Sequence, residues 1–305
     1  MARDCRVPVK SKLSNFHSMS LLLGVEIPPL TTSAYFGFMR SHLHNEPFDS
    51  LNHASGRRMI DNFIAGVKER IKSLSPVAEH IRFPVPEEIS PEPSVGCDVK
   101  ISTGRGGKIY TGEGLKTIGP IVKITADGEC TVIIGKNVTL NRCVIQAGGN
   151  GCFISIGDNC HLSGLTIVAK RDNSVVIIGE GTTWESGAAL NGHGKVIYIG
   201  NDCMISNGVM IRTSDGHGIF DASTKECINQ PSDVLIGDHV WLGNSSRVNK
   251  GSTIHSGSVI GQGSIVSKVV DGNCIYAGIP AKKIKENIVW SRSDSYEKIP
   301  EEYRI

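Results

Sequence analysis

The segment best suited to acid–base chemistry is Asp215-Gly216-His217-Gly218. An imidazole has a pKa near neutrality, so it can take the proton of a hydroxyl that must act as a nucleophile. A nearby carboxylate can hold the second ring nitrogen and fix the tautomer, and Asp215 is the nearest candidate. An exposed loop histidine with no chemical task would have the same local sequence. The sequence around His217 must therefore be used to distinguish a catalytic histidine from an ordinary exposed one.

Those elements are short strand-forming runs punctuated by glycine. The pair Ile-Gly recurs between residues 134 and 261, and self-similarity of this kind indicates a solenoid. Aliphatic residues recur every six positions, with a mostly small residue four positions after each, at Ile236, Leu242, Val248, Ile254, Ile260 and Val266. The same spacing occurs upstream at Ile199, Ile205 and Ile211, and at Ile156, Leu162 and Val168. A chain that turns a corner every six residues builds a triangular coil with one stacked aliphatic residue per side. The pattern predicts a mainly β fold, a parallel β-helix over residues 95–281.

The six-residue ladder is interrupted between Ile211 and Ile236. Residues 212–233 must therefore leave the coil as an inserted loop, and this loop carries His217. Loops that project from a rigid scaffold are where binding and catalytic residues concentrate. Shortly after the loop, strand alternation between Val240 and Leu242 places the Trp241 indole outside the coil. An outward Trp needs a cover, for which a neighbouring protomer and a bound ligand are equally good explanations.

Three segments resemble the C-terminal half of hexapeptide-repeat acetyltransferases, in particular the sugar and capsular-polysaccharide O-acetyltransferases. They are Ile236-Gly237-Asp238-His239-Val240-Trp241-Leu242-Gly243, Ile260-Gly261-Gln262-Gly263-Ser264-Ile265-Val266-Ser267-Lys268 and Ala277-Gly278-Ile279-Pro280-Ala281-Lys282-Lys283-Ile284. The clear match runs from residue 178 to residue 284. The resemblance implies a left-handed coil, a short C-terminal helix, acetyl-CoA as donor, and a homotrimer with active sites between protomers.

The same resemblance implies roles for individual residues. His217 would be the general base, Asp215 its partner, and Trp241 a group that positions acceptor or thioester. The residues expected to bind acetyl-CoA are Gly243, Gly261, Lys268, Ala277, Lys282 and Lys283. The backbone N–H of Gly243 is the expected donor to the thioester oxygen as it gains charge. The acceptor would be a glycan hydroxyl, with a sialic-acid-containing capsule polymer as one candidate, and no metal is expected.

Three alternatives stay open at this point. N-acetyl transfer to an amino sugar or an amino acid uses the same fold and donor. A zinc-dependent hydratase like the carbonic anhydrases of this fold would use three histidines, here His193, His217 and His239. In the third alternative, the solenoid is purely structural and a helical N-terminal region carries the function.

The N-terminal region has a different pattern. Apolar residues at helical spacing over 59–74 predict an amphipathic helix, a shorter helix is expected around 34–43, and the Pro-rich stretch 83–93 indicates a linker. The expected organisation is a mainly helical domain over 1–94, the β-helix over 95–281 with its loop at 212–233, and a C-terminal helix and tail over 282–305.

Composition excludes several classes of function. The net charge is +2 because 32 basic and 30 acidic residues nearly cancel, so no nucleic-acid partner is expected. No apolar run is long enough to span a membrane. The first residues lack the apolar core of a signal peptide, and the nine cysteines show no CxxC pair. We therefore expect a cytoplasmic protein whose cysteines are reduced and fill small-residue positions.

Overall fold

From residue 99 onward the chain winds into a coil in which each turn contributes one short strand to each of three sheets. The computed structural model describes residues 53–75, 77, 84 and 99–305. Sheet A consists of β1 (Val99–Thr103), β4 (Val122–Asp127), β7 (Val144–Gly148), β10 (Leu165–Lys170), β13 (Gly187–Gly192), β16 (Val209–Arg212), β19 (Arg247–Val248) and β22 (Ile265–Val266). Sheet B consists of β2 (Lys108–Thr111), β5 (Thr131–Ile134), β8 (Phe153–Ile156), β11 (Val175–Ile178), β14 (Val196–Ile199), β17 (Val234–Ile236), β20 (Thr253–Ile254) and β23 (Val269–Val270). Sheet C consists of β3 (Lys116–Ile118), β6 (Thr139–Asn141), β9 (His161–Ser163), β12 (Thr183–Trp184), β15 (Met204–Ile205), β18 (Trp241–Leu242), β21 (Val259–Ile260), β24 (Ile275–Ala277) and β25 (Lys282–Lys285).

The aliphatic ladder forms the interior of the coil. In the parallel pairs, Ile236 lies beside Ile254, Leu242 beside Ile260, and Val248 beside Val266. All six side chains are buried, as are the corner serines Ser246, Ser252, Ser258 and Ser264. Each stacked aliphatic side chain removed from water contributes about 1.5–3 kcal/mol. The prediction of a parallel β-helix is confirmed.

One position of the predicted ladder is wrong. Val168 lies on the outer side of β10, and its neighbours Ile167 and Ala169 point inward and are fully buried. The cause is the length of the coil. The coils before the loop place equivalent residues 21 to 23 apart, as in Val99/Val122 and Val175/Val196, whereas the coils after the loop place them 16 to 18 apart, as in Thr253/Val269 and Trp241/Val259. A frame of six residues per side therefore loses register on the longer upstream sides, because a shift of one residue moves every side chain to the opposite face.

The turns from sheet B to sheet C are capped from one coil to the next. The carboxylate of Asp158 accepts a hydrogen bond from the Lys136 N–H at 2.7 Å, and Asp238 does the same for the Asn201 N–H at 2.7 Å. Ser256 in turn accepts from the Asp238 N–H at 3.0 Å. These turn N–H groups lie outside the strand ladders, so a side chain of the following coil satisfies them.

Helix α1 (His53–Lys72) covers the outer face of sheet B. Its residues Ile64, Val67 and Ile71 are buried in one cluster with apolar side chains of that face, including Phe153 and Tyr198. Arg70 fastens the helix by donating to the Asn173 carbonyl at 2.9 Å and to the Gly194 carbonyl. The predicted amphipathic helix is thus present. All these contacts lie within the unit Arg58–Ile305. The expected helix at 34–43 and almost all of the Pro-rich stretch lie outside the described residues.

The expected C-terminal helix is replaced by a strand and two short turns. Lys282–Lys285 pair antiparallel with β24, after the chain reverses at Gly278–Pro280. This pairing covers a sheet edge that would otherwise leave its backbone groups exposed. Beyond it the chain forms 3₁₀ turns at Tyr296–Lys298 and Glu301–Tyr303. Among the described residues, no helix has the length and apolarity required to cross a membrane.

Candidate active site

The loop that carries His217 begins at a rigid corner between sheets A and B. Thr213 is fully buried and donates its hydroxyl hydrogen to the Asn191 side-chain oxygen at 2.8 Å. Asn191 is itself fixed, because its amide donates to the carbonyls of Val175 and Lys195 at 2.7 and 2.6 Å. The Ser232 N–H closes the loop by donating to the Thr213 carbonyl at 3.0 Å. The loop base is therefore part of the solenoid framework.

Inside the loop, Asn229 is the organising residue. Its amide nitrogen donates both to the Asp215 carboxylate at 2.9 Å and to the His217 carbonyl at 2.8 Å. Its amide oxygen accepts from the Ile219 N–H at 2.6 Å. Lys250, from the next coil, donates to the Asp215 carboxylate and, at 2.8 Å, to the Asn229 carbonyl. The backbone on both sides of His217 is thereby fixed to the solenoid.

This arrangement gives Asp215 a set of partners that differs from the expected one. Its carboxylate contacts Lys250 and Asn229, and the hydrogen bond from Lys250 is the main cause of a pKa below the usual value. The His217 imidazole is exposed and, within the described part of the chain, has no hydrogen-bond partner. Asp215 thus acts on the loop backbone and on the charge beside the histidine, and does not touch the ring.

The tip of the loop is a small hairpin. Phe220 bridges to Cys227 in antiparallel fashion, and the Ile228 N–H donates to the Ile219 carbonyl at 2.8 Å. The side chains of Ile219, Phe220 and Ile228 are all more than half exposed. The hairpin places an apolar tip beyond His217, with its backbone held by its own hydrogen bonds.

Trp241 lies on the outer face of sheet C, between Met204 and Val259 in register. This is the outward orientation that strand alternation predicts. Its indole contacts the Trp290 ring, with centroids 5.9 Å apart and planes inclined by 45°. The indole N–H is buried and has no hydrogen-bond partner among the described residues. A buried donor without an acceptor costs about 1–3 kcal/mol.

His217 and Trp241 do not meet within one chain. The His217 loop leaves the coil between β16 of sheet A and β17 of sheet B. Trp241 lies on sheet C, and the corner after it leads back to sheet A. The two candidate residues therefore belong to different sides of the triangular coil.

The expected acetyl-CoA residues Gly243, Gly261 and Ala277 lie together at the corner between sheets C and A. A Cβ at Gly243 would come within 2.6 Å of the Ile260 carbonyl oxygen, and one at Gly261 within 2.7 Å of the Ala277 Cβ. Packing between coils thus requires small residues here. The Gly243 N–H donates to the Ile260 carbonyl at 2.8 Å. It is committed to the coil ladder, so the expectation that it serves the thioester oxygen is wrong.

The three expected phosphate-binding lysines are exposed near the last coil. Lys283 is engaged by two carboxylates, Asp271 at 3.1 Å and Glu286 at 3.3 Å. The hydrogen bonds that Lys283 donates to Asp271 and Glu286 raise the pKa of Lys283. Lys268 and Lys282 have no ion-pair partner within the described residues. Two of the three lysines are therefore free to meet an anion.

The histidines of the hydratase alternative lie in unrelated surroundings. His193 contacts Arg171, and His217 is in the exposed loop. Both ring nitrogens of His239 face oxygen atoms, of Asp202 at 2.7 Å and of the Trp290 carbonyl at 3.0 Å, so neither has a free lone pair for a metal. His239 and Trp241 both lie beside Trp290. No cluster of potential metal ligands occurs in the described part of the chain.

Sequence reasoning missed Asn229, Lys250 and Trp290. Asn229 and Lys250 act across the loop, at separations of 12 and 35 residues from the groups they hold. Trp290 lies 51 residues from His239. No periodicity links such positions. The sequence offered two signals. Trp290 is an aromatic residue that follows the last coil, and Lys250 is a lysine in the coil that follows the inserted loop.

Comparisons with known proteins identify relatives of this chain. The chain is 45% identical to the polysialic acid O-acetyltransferase of Escherichia coli O1:K1 / APEC over 152 residues, 50% of this chain and 49% of that protein. It is 41% identical to the polysialic acid O-acetyltransferase of Neisseria meningitidis over 163 residues, 53% of this chain and 75% of that protein. The crystal structure of the polySia-specific acetyltransferase NeuO is similar with a TM-score of 0.59 and 35% identity, covering 66% of this chain and 91% of NeuO.

The extent of these matches differs between relatives. The matched region spans about half the length of the Escherichia coli relative and three quarters of the Neisseria meningitidis one. No family model matches the chain.

Proposed function

Because the chain belongs to the family of the polysialic acid O-acetyltransferases, we propose that it transfers an acetyl group from acetyl-CoA to a hydroxyl of a sialic-acid polymer. The observation that carries the proposal is the anchored loop, which holds one exposed imidazole at the edge of the coil. A structural solenoid needs no such loop, and the loop is fixed by six hydrogen bonds, three between side chains and three between a side chain and the backbone.

In the proposed reaction His217 is the general base. Its free ring nitrogen takes the proton of the acceptor hydroxyl as the hydroxyl oxygen attacks the thioester carbonyl carbon. The carbon–sulfur bond then breaks, and the imidazolium returns its proton to the leaving thiolate. Acid–base assistance of this kind contributes roughly 10²–10⁴-fold to rate. No covalent acyl-enzyme is required.

Asp215 supports this role through charge. The Asp215–Lys250 ion pair leaves the loop locally near neutral. A bare carboxylate there would also repel an acceptor whose sugar units each carry a carboxylate. We assign Asp215 to loop geometry and charge balance.

We propose that the complete site forms between subunits of a homotrimer. Within one chain His217 and Trp241 lie on different sides of the coil, so both can contact one substrate only if they come from different copies. The Trp241 N–H, buried and unpartnered, is the best available donor to the thioester oxygen. This donor replaces the Gly243 N–H of the initial expectation.

The acetyl-CoA would lie along the corner formed by Gly243, Gly261 and Ala277. The small residues there leave the backbone surface flat, which suits the narrow pantetheine arm. Lys268 and Lys282, exposed and without carboxylate partners in the described chain, fit the phosphate groups. Lys283 would have to exchange Asp271 and Glu286 for a phosphate to take part. Because this donor is a cytoplasmic metabolite, we place the reaction in the cytoplasm.

The proposal is tested by following labelled acetyl-CoA with a panel of acceptors. Polysialic acid, a neutral polysaccharide and an amino sugar are incubated with the full chain. We expect label on polysialic acid only, and its release by mild base, which cleaves O-acetyl esters and spares N-acetyl amides. Base-stable label on the amino sugar would establish the N-transfer alternative, and thiol release without labelled acceptor would contradict the glycan assignment.

A further inference from the structure

The C-terminal segment is clasped onto the solenoid immediately beside Trp241. We define the clasp as the five residues Asp202, His239, Trp290, Arg292 and Tyr303. The His239 ring lies between two aromatic rings, Trp290 at 4.0 Å with an interplanar angle of 11° and Tyr303 at 4.3 Å with 7°. The Trp290 indole N–H donates to the His239 carbonyl at 2.8 Å. Trp290 is therefore fixed by both a ring contact and a hydrogen bond.

His239 is an unusual residue for the position it occupies. It is the residue with positive φ at the turn from sheet B to sheet C, with φ of 52°. The equivalent positions of other coils hold Asn, Gly or Asp, such as Asn159, Gly181 and Asn273. A left-handed conformation costs about 1–2 kcal/mol in residues with a larger side chain. The surrounding contacts maintain this strained conformation, which points to a task beyond making the turn.

Polar contacts join four of the five clasp residues. His239 Nδ1 lies 2.7 Å from the Asp202 carboxylate and Nε2 lies 3.0 Å from the Trp290 carbonyl. Arg292 donates to Asp202 at 2.9 Å and to the carbonyl of Cys203 at 2.9 Å. A connected network of this kind favours one arrangement of its members. The clasp thus holds Trp290 in a single orientation.

Trp290 also contacts Trp241. The two indoles lie 5.9 Å apart at 45°, a tilted arrangement that aromatic pairs prefer. The Trp241 indole N–H has no hydrogen-bond partner among the described residues, so packing, including the Trp290 ring contact, holds the indole on the surface of sheet C. Without that contact an outward Trp side chain would sample several rotamers.

On the basis of the proposed function, we propose that Trp290 is a positioning residue for Trp241, and that the clasp makes the C-terminal segment one wall of the acyl-transfer site. Trp290 itself touches neither acceptor nor thioester in this proposal. It acts by holding the Trp241 N–H in the direction from which a substrate oxygen can be reached.

The first test does not depend on activity. The chain has three tryptophans, so protein labelled with 5-fluorotryptophan gives three ¹⁹F signals, assigned by removing each in turn. We expect Trp290→Leu to shift and broaden the Trp241 signal and leave that of the buried Trp184 unchanged. Tyr296→Leu is the matched control, because Tyr296 lies in the same segment, half exposed, outside the clasp. An unchanged Trp241 signal in Trp290→Leu would overturn the proposal.

The second test is a double-mutant cycle on turnover. We expect Trp290→Leu to lower kcat about 10-fold, since a displacement near 1 Å in a catalytic group has effects of this order. Trp290→Phe should recover most of it. In a Trp241→Phe background, Trp290→Leu should have little further effect, because the two residues act as one unit. Equal losses in both backgrounds would show that Trp290 only stabilises the fold, and would also overturn the proposal.

The two experiments test the role of Trp290 separately from the proposed acetyl-transfer function. If wild-type protein transfers no acetyl group to polysialic acid, the proposed function fails, and the ¹⁹F signals still decide whether Trp290 positions Trp241. If Trp290→Leu is poorly folded, Trp290→Phe keeps the apolar contact and allows both measurements.

Discussion

The carbonyl oxygen of His217 accepts a hydrogen bond from the same Asn229 amide nitrogen that donates to Asp215, at 2.8 and 2.9 Å. One side chain therefore holds the Asp215 carboxylate and the His217 backbone carbonyl, and leaves the imidazole free. The ring is exposed above an anchored loop, a combination that suits a base that must meet a bulky polymer.

Removal of the imidazole should abolish most of the activity and leave the fold intact. We expect His217→Ala to reduce turnover at least about 10²-fold, since general-base assistance is lost. Thermal unfolding should be unchanged because the ring contacts nothing in the described chain. His161→Ala is the matched control, an exposed histidine on sheet C. Activity within a few-fold of wild type in His217→Ala would place the base elsewhere.

Loss of the Asn229 amide should loosen the loop without unfolding the coil. Asn229→Ala removes four hydrogen bonds, of which the three with nitrogen donors are each worth about 0.5–1.5 kcal/mol. We expect faster amide hydrogen exchange at Ile219 and a lower kcat, with the KM for acetyl-CoA little changed. Gln230→Ala serves as control, since it removes one 3.2 Å contact to the Cys227 carbonyl. Unaltered exchange at Ile219 would show that Asn229 does not organise the loop.

Acid should release the clasp through Asp202. Burial disfavours the charge of this carboxylate, but the hydrogen bond from His239 and the charge of Arg292 outweigh burial and lower the pKa of Asp202 below 3.8. A lowered pKa means that the stabilisation is present above the unfolded-state value and is lost as pH falls through the folded-state value. We therefore expect a change in tryptophan fluorescence below about pH 4. The change should be absent in Asp202→Asn; if it persists there, another group is responsible.

Glycine at position 243 should be required by packing alone. A Cβ there meets the Ile260 carbonyl oxygen at 2.6 Å, and we expect Gly243→Ala to destabilise the protein by about 1–3 kcal/mol. Gly148→Ala is the matched control, because a Cβ at Gly148 meets nothing within 4 Å. Thermal unfolding measures both. Equal midpoints for the two variants would show that the coil can relax around the extra methyl group.

The core cysteines should be inert towards thiol reagents in the native protein. Burial raises the pKa of Cys160 and of Cys203 to about 12, whereas Cys227 in the loop hairpin is partly exposed. Peptide mapping after alkylation at about pH 8 should find Cys227 modified and those two unmodified. Rapid modification of Cys160 or Cys203 would mean that the coil opens readily.

The regular part of this molecule was predictable and the irregular part was not. The step from Ile236 to Val266 repeats a local rule, since each side chain occupies the same environment in every coil. Val168 does not follow that rule because its coil is longer. A count in steps of six does not detect an extra residue on one side of the triangular coil. The position of the loop and the outward orientation of Trp241 also follow from the repeat.

Contacts between distant residues had no such rule. Nothing local couples Trp290 to His239, or Lys250 to Asp215, because tertiary contacts across 51 and 35 residues have no period. The C-terminal helix that was expected within residues 282–305 does not form, for a related reason. Lys282–Lys285 pair with the open edge of β24, and a tertiary pairing of this kind overrides a local helical tendency.

In the turns between sheets B and C, an N–H group of one coil is capped by a side chain of the following coil. The Lys136 N–H donates to a carboxylate that lies 22 residues later in the chain. The Asn201 N–H donates to one that lies 37 residues later, beyond the inserted loop. A nascent chain leaving the ribosome N-terminus first therefore cannot complete a turn until the following turn has been synthesised. In the finished protein, damage at a later coil removes the side-chain cap on which the turn before it depends. The clasp lies at the C-terminal end of this series of caps.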